Sequence, residues 1–109
     1  MTPADNLRRA AQTLIDLADE TDEETKTNPY WHSQITDEPH WYANGVENAL
    51  GRPAGKLAQL LNPHAARQLA TVFRAWARIA DLDPDLLNRV GGGETIDLAR
   101  AILGPQEQP

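Results

Sequence analysis

Residues 63–80 read PHAARQLATVFRAWARIA, and the spacing of apolar and charged side chains within that stretch decides the fold. On a helical wheel Leu69, Val72, Phe73, Trp76, Ile79 and Ala80 share one face, while Arg67, Arg74 and Arg78 stand opposite, within about 40° of one another. Asn62 is placed to cap the stretch and Pro63 suits the first helical position, where its missing N–H costs nothing. The spacing predicts an α-helix over 63–80 that turns its rings inward and its guanidiniums to solvent. If the Trp76 indole is buried, Trp76→Ala should cost about 3–5 kcal/mol.

The same pattern of cap, proline and apolar stripe recurs on both sides. Downstream, Asp83-Pro84 predicts a short helix through Val90. Gly91-Gly92-Gly93 then reads as a break or hinge, and a last helix is expected from about Thr95 to Leu103, stopped by Gly104. Upstream, a short helix is expected after Pro53, with Leu57, Ala58, Leu60 and Leu61 on its apolar side. At the start of the chain Thr2 caps, Pro3 opens a helix, and Asp5 sits at the positive end of its dipole. Leu7, Ala10, Ala11, Leu14, Ile15, Leu17 and Ala18 fill one arc of that helix, with Arg8, Arg9, Gln12, Asp16 and Asp19 opposite. It is expected over 3–20 and to fray near Thr21, because acids sit badly at a helix C-terminus.

Residues 29–46 read two ways. Tyr30–Ile35 and His40–Val46 can pair as a hairpin turning at Thr36-Asp37-Glu38-Pro39. The alternative is a loop to Ile35 and a helix from about 38 to 50, capped by Asp37 and stopped by Gly51. Val46-Glu47-Asn48-Ala49-Leu50 lacks strand alternation and favours the helix; Asn44-Gly45 counts against it. The fold class expected is therefore all-α, four to six helices in one domain over 1–104, with 105–109 a disordered tail.

The 109 residues suffice for one domain. Cysteine is absent, which removes disulfides, thiolate metal sites and cysteine nucleophiles together. No signal peptide or membrane span is read, so the cytoplasm is the expected location. The net charge of −6 argues against capture of nucleic acid. It is uneven: residues 1–50 hold ten acids and three bases, residues 51–109 six acids and seven bases.

Several stretches carry a family likeness: Asn6-Leu7-Arg8-Arg9-Ala10-Ala11, Leu57-Ala58-Gln59-Leu60-Leu61-Asn62-Pro63, Leu69, Trp76-Ala77 and Leu98-Ala99-Arg100-Ala101-Ile102-Leu103. Thr27-Asn28-Pro29-Tyr30-Trp31 keeps the Thr, Pro and Trp of a Thr-Pro-Gly-Pro-Trp-like box. In these respects the chain resembles a functionally uncharacterised family of small proteins from high-GC actinobacteria and their phages. The likeness covers about two thirds of the chain, leaving out roughly 32–52. It implies a phage or prophage accessory origin and carries over no activity and no catalytic residues.

The chemistry-bearing residues do not form the working parts of an enzyme. His32, Asp37, Glu38 and His40 are close in sequence but lack helical ligand spacing, so no metal site is read. Ser33, the only serine, adjoins His32, yet neighbours in an extended chain point apart and no nucleophile elbow surrounds it. The triple glycine has no lysine, and Glu94 places negative charge where a phosphate would sit. No catalytic residue, cofactor or metal is assigned.

Two surfaces remain. One joins the acids Asp19, Glu20, Asp22, Glu23 and Glu24 with the aromatic segment Tyr30, Trp31, His32, His40, Trp41 and Tyr42, the residue types of binding hot spots and equally of loop anchors. The other is the Arg67, Arg74 and Arg78 face, suited to phosphate or to the acidic segment of this or a second copy. The function expected is a non-enzymatic protein-interaction module, a phage accessory protein meeting a host protein through the acidic, aromatic face. Self-association as a dimer is part of that reading. The alternative is a small regulator contacting nucleic acid or a nucleotide through the arginines.

Overall fold

In the computed structural model of the protein, which describes residues 2–104, the 63–80 pattern appears as a helix over Pro63–Leu82. The element order is α1 (Pro3–Thr27), α2 (Trp41–Leu50), α3 (Ala54–Leu60), α4 (Pro63–Leu82), α5 (Pro84–Arg89) and α6 (Gly92–Leu103), with single 3-10 turns at Pro29–Trp31 and Glu38–His40. The fold is all-α, with no strand among the described residues. The hairpin alternative for 29–46 is thus corrected: Trp41–Val46 lies in α2, and the 3-10 turn Glu38–His40 leads into it. The expected disordered tail, 105–109, lies outside the described residues.

The described residues gather into two compact units, one of residues 2–15 with 67–104 and the other of residues 16–66. In the first, one core joins Ala4, Leu7, Ala10 and Ala11 of α1 to Ala70, Phe73, Ala77 and Ala80 of α4, Leu87 of α5, and Ile96, Ala99 and Leu103 of α6. Phe73, Leu7 and Leu87 are its largest fully buried side chains. The face expected on α4 is therefore rotated. Val72 is 47% exposed and Trp76 only partly buried, while Ala70 and Ala77 turn inward. Short alanines on both helices make this arc the one that packs closely, and a wheel weighted by hydrophobicity misses that.

Capping follows the sequence closely. Thr2 Oγ1 accepts from the Asp5 N–H (3.1 Å) while Asp5 Oδ2 accepts from the Thr2 N–H (3.2 Å), a reciprocal capping box. Those bonds from Thr2 hold the Asp5 carboxyl below the ordinary range. Asn62 Oδ1 accepts from Ala65 N–H at the head of α4 (2.9 Å), and Asp83 Oδ1 from both Asp85 and Leu86 N–H at the head of α5 (3.1 and 3.2 Å). The glycine run is a tighter device than a hinge. Gly91 takes φ +84° to turn the chain, and α6 begins at Gly92, where any side chain would strike the Leu87 carbonyl and isobutyl group.

In the second unit α1 does not fray at Thr21; it continues to Thr27. Its end is held by local bonds that the charge argument left out. Thr21, Thr25 and Thr27 hydroxyls donate to the carbonyls of Leu17, Thr21 and Glu23. His32 Nε2 lies 3.1 Å from the carbonyls of both Thr25 and Lys26, so that nitrogen carries the proton and closes two carbonyls the helix leaves open. α2 and α3 pack with their backbones close: a methyl on Gly55 would lie 2.8 Å from Glu47 Cα.

Candidate functional site

The aromatic residues of 30–42 first serve the fold. Trp31 lies parallel to Tyr42, centroids 5.9 Å apart, and edge-on to Tyr30 at 5.1 Å. Its indole covers Gly45, where a methyl would fall 2.5 Å from Cζ3. This is why a glycine stands in the middle of α2, the feature that weighed against a helix there. Tyr30 Oη donates to the Gly45 carbonyl (2.8 Å), and Tyr42 Oη to the Ala58 carbonyl (3.4 Å). Partial burial pushes the Tyr42 hydroxyl above its ordinary range. Trp41 Nε1 donates to the Thr36 carbonyl (3.3 Å), and the His32 ring stacks on Trp41 at 4.2 Å.

Part of this aromatic face stays open next to the acids of α1. Leu17, Glu20, Thr21 and Glu24 line one side of a shallow depression of about 390 Å³, and Trp31 and Tyr42 line the other. Glu24 ties the sides together, since its Oε1 accepts from Trp31 Nε1 (3.3 Å) and from Asn28 Nδ2 (2.7 Å). Leu17 is 56% exposed at the rim. Residues 16–66 hold nine acids against three bases, which accounts for the entire net charge of −6. The depression therefore combines carboxylates, two part-exposed aromatic rings and an exposed leucine inside the acidic unit.

Of the acidic and aromatic residues singled out in the sequence, Glu20, Glu24, Trp31 and Tyr42 come together here. Asp19, Asp22, Glu23, Tyr30, His32, His40 and Trp41 do not line the depression. Leu17 and Thr21, which do, were read only as core and helix end. His40 pairs instead with Asp37 and holds that carboxyl below the usual range. Ser33 Oγ accepts from the Ile35 and Thr36 N–H groups (3.0 and 3.4 Å), a local turn that occupies the hydroxyl oxygen. Among the described residues no three His, Asp or Glu side chains gather as a metal site, and no helix is long and apolar enough to cross a membrane.

The arginines of α4 meet partners from α1 within the first unit. Arg8, Arg9 and Gln12 join Arg74 and Arg78 around an open depression of about 460 Å³. Arg74 Nη2 donates to Gln12 Oε1 (3.0 Å), and Arg8 pairs with Asp81. These two links, Gln12 to Arg74 and Arg8 to Asp81, set residues 8–12 antiparallel to 74–81. Arg67 is not among the lining residues. Arg8 and Arg9 were visible as the polar face of α1, but only the antiparallel register brings them beside Arg74 and Arg78.

Comparison with protein-family models, with curated proteins and with solved structures found no match to the chain.

Proposed function

We propose that the protein is a non-enzymatic interaction module whose acidic, aromatic depression grips a basic segment of a partner protein. The observation that carries this reading is the meeting of Glu20 and Glu24 with the part-exposed rings of Trp31 and Tyr42 beside exposed Leu17. A lysine or arginine entering there meets carboxylates for its charge and aromatic rings for its cation–π attraction, worth about 0.5–1 kcal/mol at an exposed site. A neighbouring apolar side chain of the partner would rest on Leu17. The likeness to actinobacterial and actinophage proteins supports a phage or prophage accessory role in the cytoplasm, with a host protein as partner. A second copy is a further partner within this reading, through Leu57, Leu60 and Leu61, each at least 60% exposed.

The test is titration with a lysine- and leucine-bearing peptide, followed by tryptophan fluorescence at two salt concentrations. Binding should weaken with salt and fall about tenfold or more in Glu20→Lys, which reverses a charge in the depression while leaving the Glu24–Trp31 bond in place. Equal binding by wild type and Glu20→Lys would overturn the assignment of this face.

A further inference from the structure

The second depression asks for a ligand of the opposite sign. Arg8, Arg9, Arg74 and Arg78 line it together with Gln12, and no carboxylate is among the lining residues. Four of the ten basic residues of an acidic chain thus surround one open space. Guanidiniums side by side repel one another, and nothing in the core requires them there, since all four project from the polar faces of α1 and α4.

Arg74 and Arg8 are held in place. Gln12 Oε1 accepts from Arg74, a neutral acceptor that orients the guanidinium without cancelling its charge. Asp81 takes two donors of Arg8 from outside the lining and offsets one charge. Each guanidinium has five N–H donors, so these bonds leave both arginines donors to spare. The site therefore offers several guanidiniums, planar forks that match the oxygens of phosphate.

We propose that this depression binds a compact oligophosphate, recognised through its phosphates alone. Several negative charges must lie within a few ångströms of one another to satisfy guanidiniums so placed, and a linear di- or triphosphate has that density. The lining contains no aromatic ring and no apolar side chain against which a base would rest. An extended polyanion is disfavoured, because the whole chain carries −6 and a long strand samples that field beyond the arginines. The shared ligand chemistry is the triphosphate group, whether inorganic or as the tail of a nucleotide.

The test is isothermal titration of the full chain at low salt with sodium tripolyphosphate, with ATP in a parallel arm. Tripolyphosphate should bind one to one, and ATP within about threefold of it, because the base contributes no stacking. The Arg74→Gln/Arg78→Gln double variant should weaken tripolyphosphate binding by about tenfold or more, these being charge-assisted bonds. Arg52→Gln/Lys56→Gln removes the same charge outside the lining residues and should change the affinity less than about twofold, the scale of a screened charge that does not touch the ligand. Circular dichroism of both variants should match the wild type, since all four side chains are exposed. Absence of binding by folded wild type would overturn the proposal, as would equal losses in the two double variants. Tighter binding of ATP than of tripolyphosphate by more than tenfold, or of duplex DNA or a polyglutamate peptide than of either, would replace the oligophosphate with that ligand.

Discussion

Gly45→Ala separates the structure from a reading of helix propensity more sharply than any other single change. Gly45 lies inside α2, and an alanine there gains about 1 kcal/mol of intrinsic helix preference. In the folded chain, however, the added methyl would lie 2.5 Å from Trp31 Cζ3, so the indole has to leave. Its parallel contact with Tyr42 and edge contact with Tyr30 are each worth about 0.5–1.5 kcal/mol beyond burial. The Tyr30 bond to the Gly45 carbonyl adds about 0.5–1.5 kcal/mol if it moves too. The losses exceed the gain, and a net destabilisation of about 1–3 kcal/mol is expected, the usual scale for a methyl forced into filled space. Urea titration followed by far-UV circular dichroism measures the difference. A double-mutant cycle isolates its cause: in a Trp31→Ala background the same Gly45→Ala change should stabilise by about 1 kcal/mol, because only the propensity term survives. A Gly45→Ala protein more stable than wild type, or a cycle with no coupling, would refute the account of why glycine stands there.

Phe73→Ala removes the largest fully buried side chain and should cost about 3–5 kcal/mol by denaturant titration. Trp76→Ala, only partly buried, should cost clearly less than Phe73→Ala, reversing the order expected from size alone. Asp83→Ala removes the side-chain acceptor of the Asp85 and Leu86 N–H groups, of which Leu86 keeps the Asp83 carbonyl, and should lower stability by about 1 kcal/mol; a loss within error would mean that water and that carbonyl replace the cap. Glu47 is held below the ordinary carboxyl range first by the Gln59 side chain, then by Lys56 and Arg52. Its stabilisation should be complete above the unfolded glutamate pKa of about 4.3 and fade as pH falls through the lower folded value. In Glu47→Gln the acid limb of a stability–pH curve should be shallower over that window, and an unchanged limb would count against the linkage.

Where local chemistry decides, the sequence was legible. The caps Thr2, Asn62 and Asp83 and the stops Gly51 and Gly104 act where they were read, and α4 and α5 begin at the expected prolines. What the sequence hid were contacts between residues far apart in it. Helix propensity counted Gly45 against α2, because the indole that fills its missing side chain comes from Trp31. Charge logic ended α1 near Thr21, because the closing donor for its last carbonyls is His32, beyond the helix. For the candidate sites the residue types were apparent and the groupings were not. Arg67 shares a wheel face with Arg74 and Arg78, yet Arg8 and Arg9 are the ones beside them, since the antiparallel register of two helices is absent from either helix alone. Likewise Leu17 reads as core on the wheel of α1 but stands at the rim of an open face.

The alanine seam between α1 and α4 has a consequence for how the chain can vary. Ala10, Ala11, Ala70 and Ala77 are at most 1% exposed, while Leu60, Leu61 and Leu82 are 65% exposed or more. In a library of all single substitutions the smallest residues should behave as the fussiest. Even serine or valine at Ala77 pushes two backbones apart or hides a hydroxyl, whereas those leucines should accept nearly anything on grounds of stability alone. A survey that ranks positions by side-chain bulk would look for fragility in the wrong places.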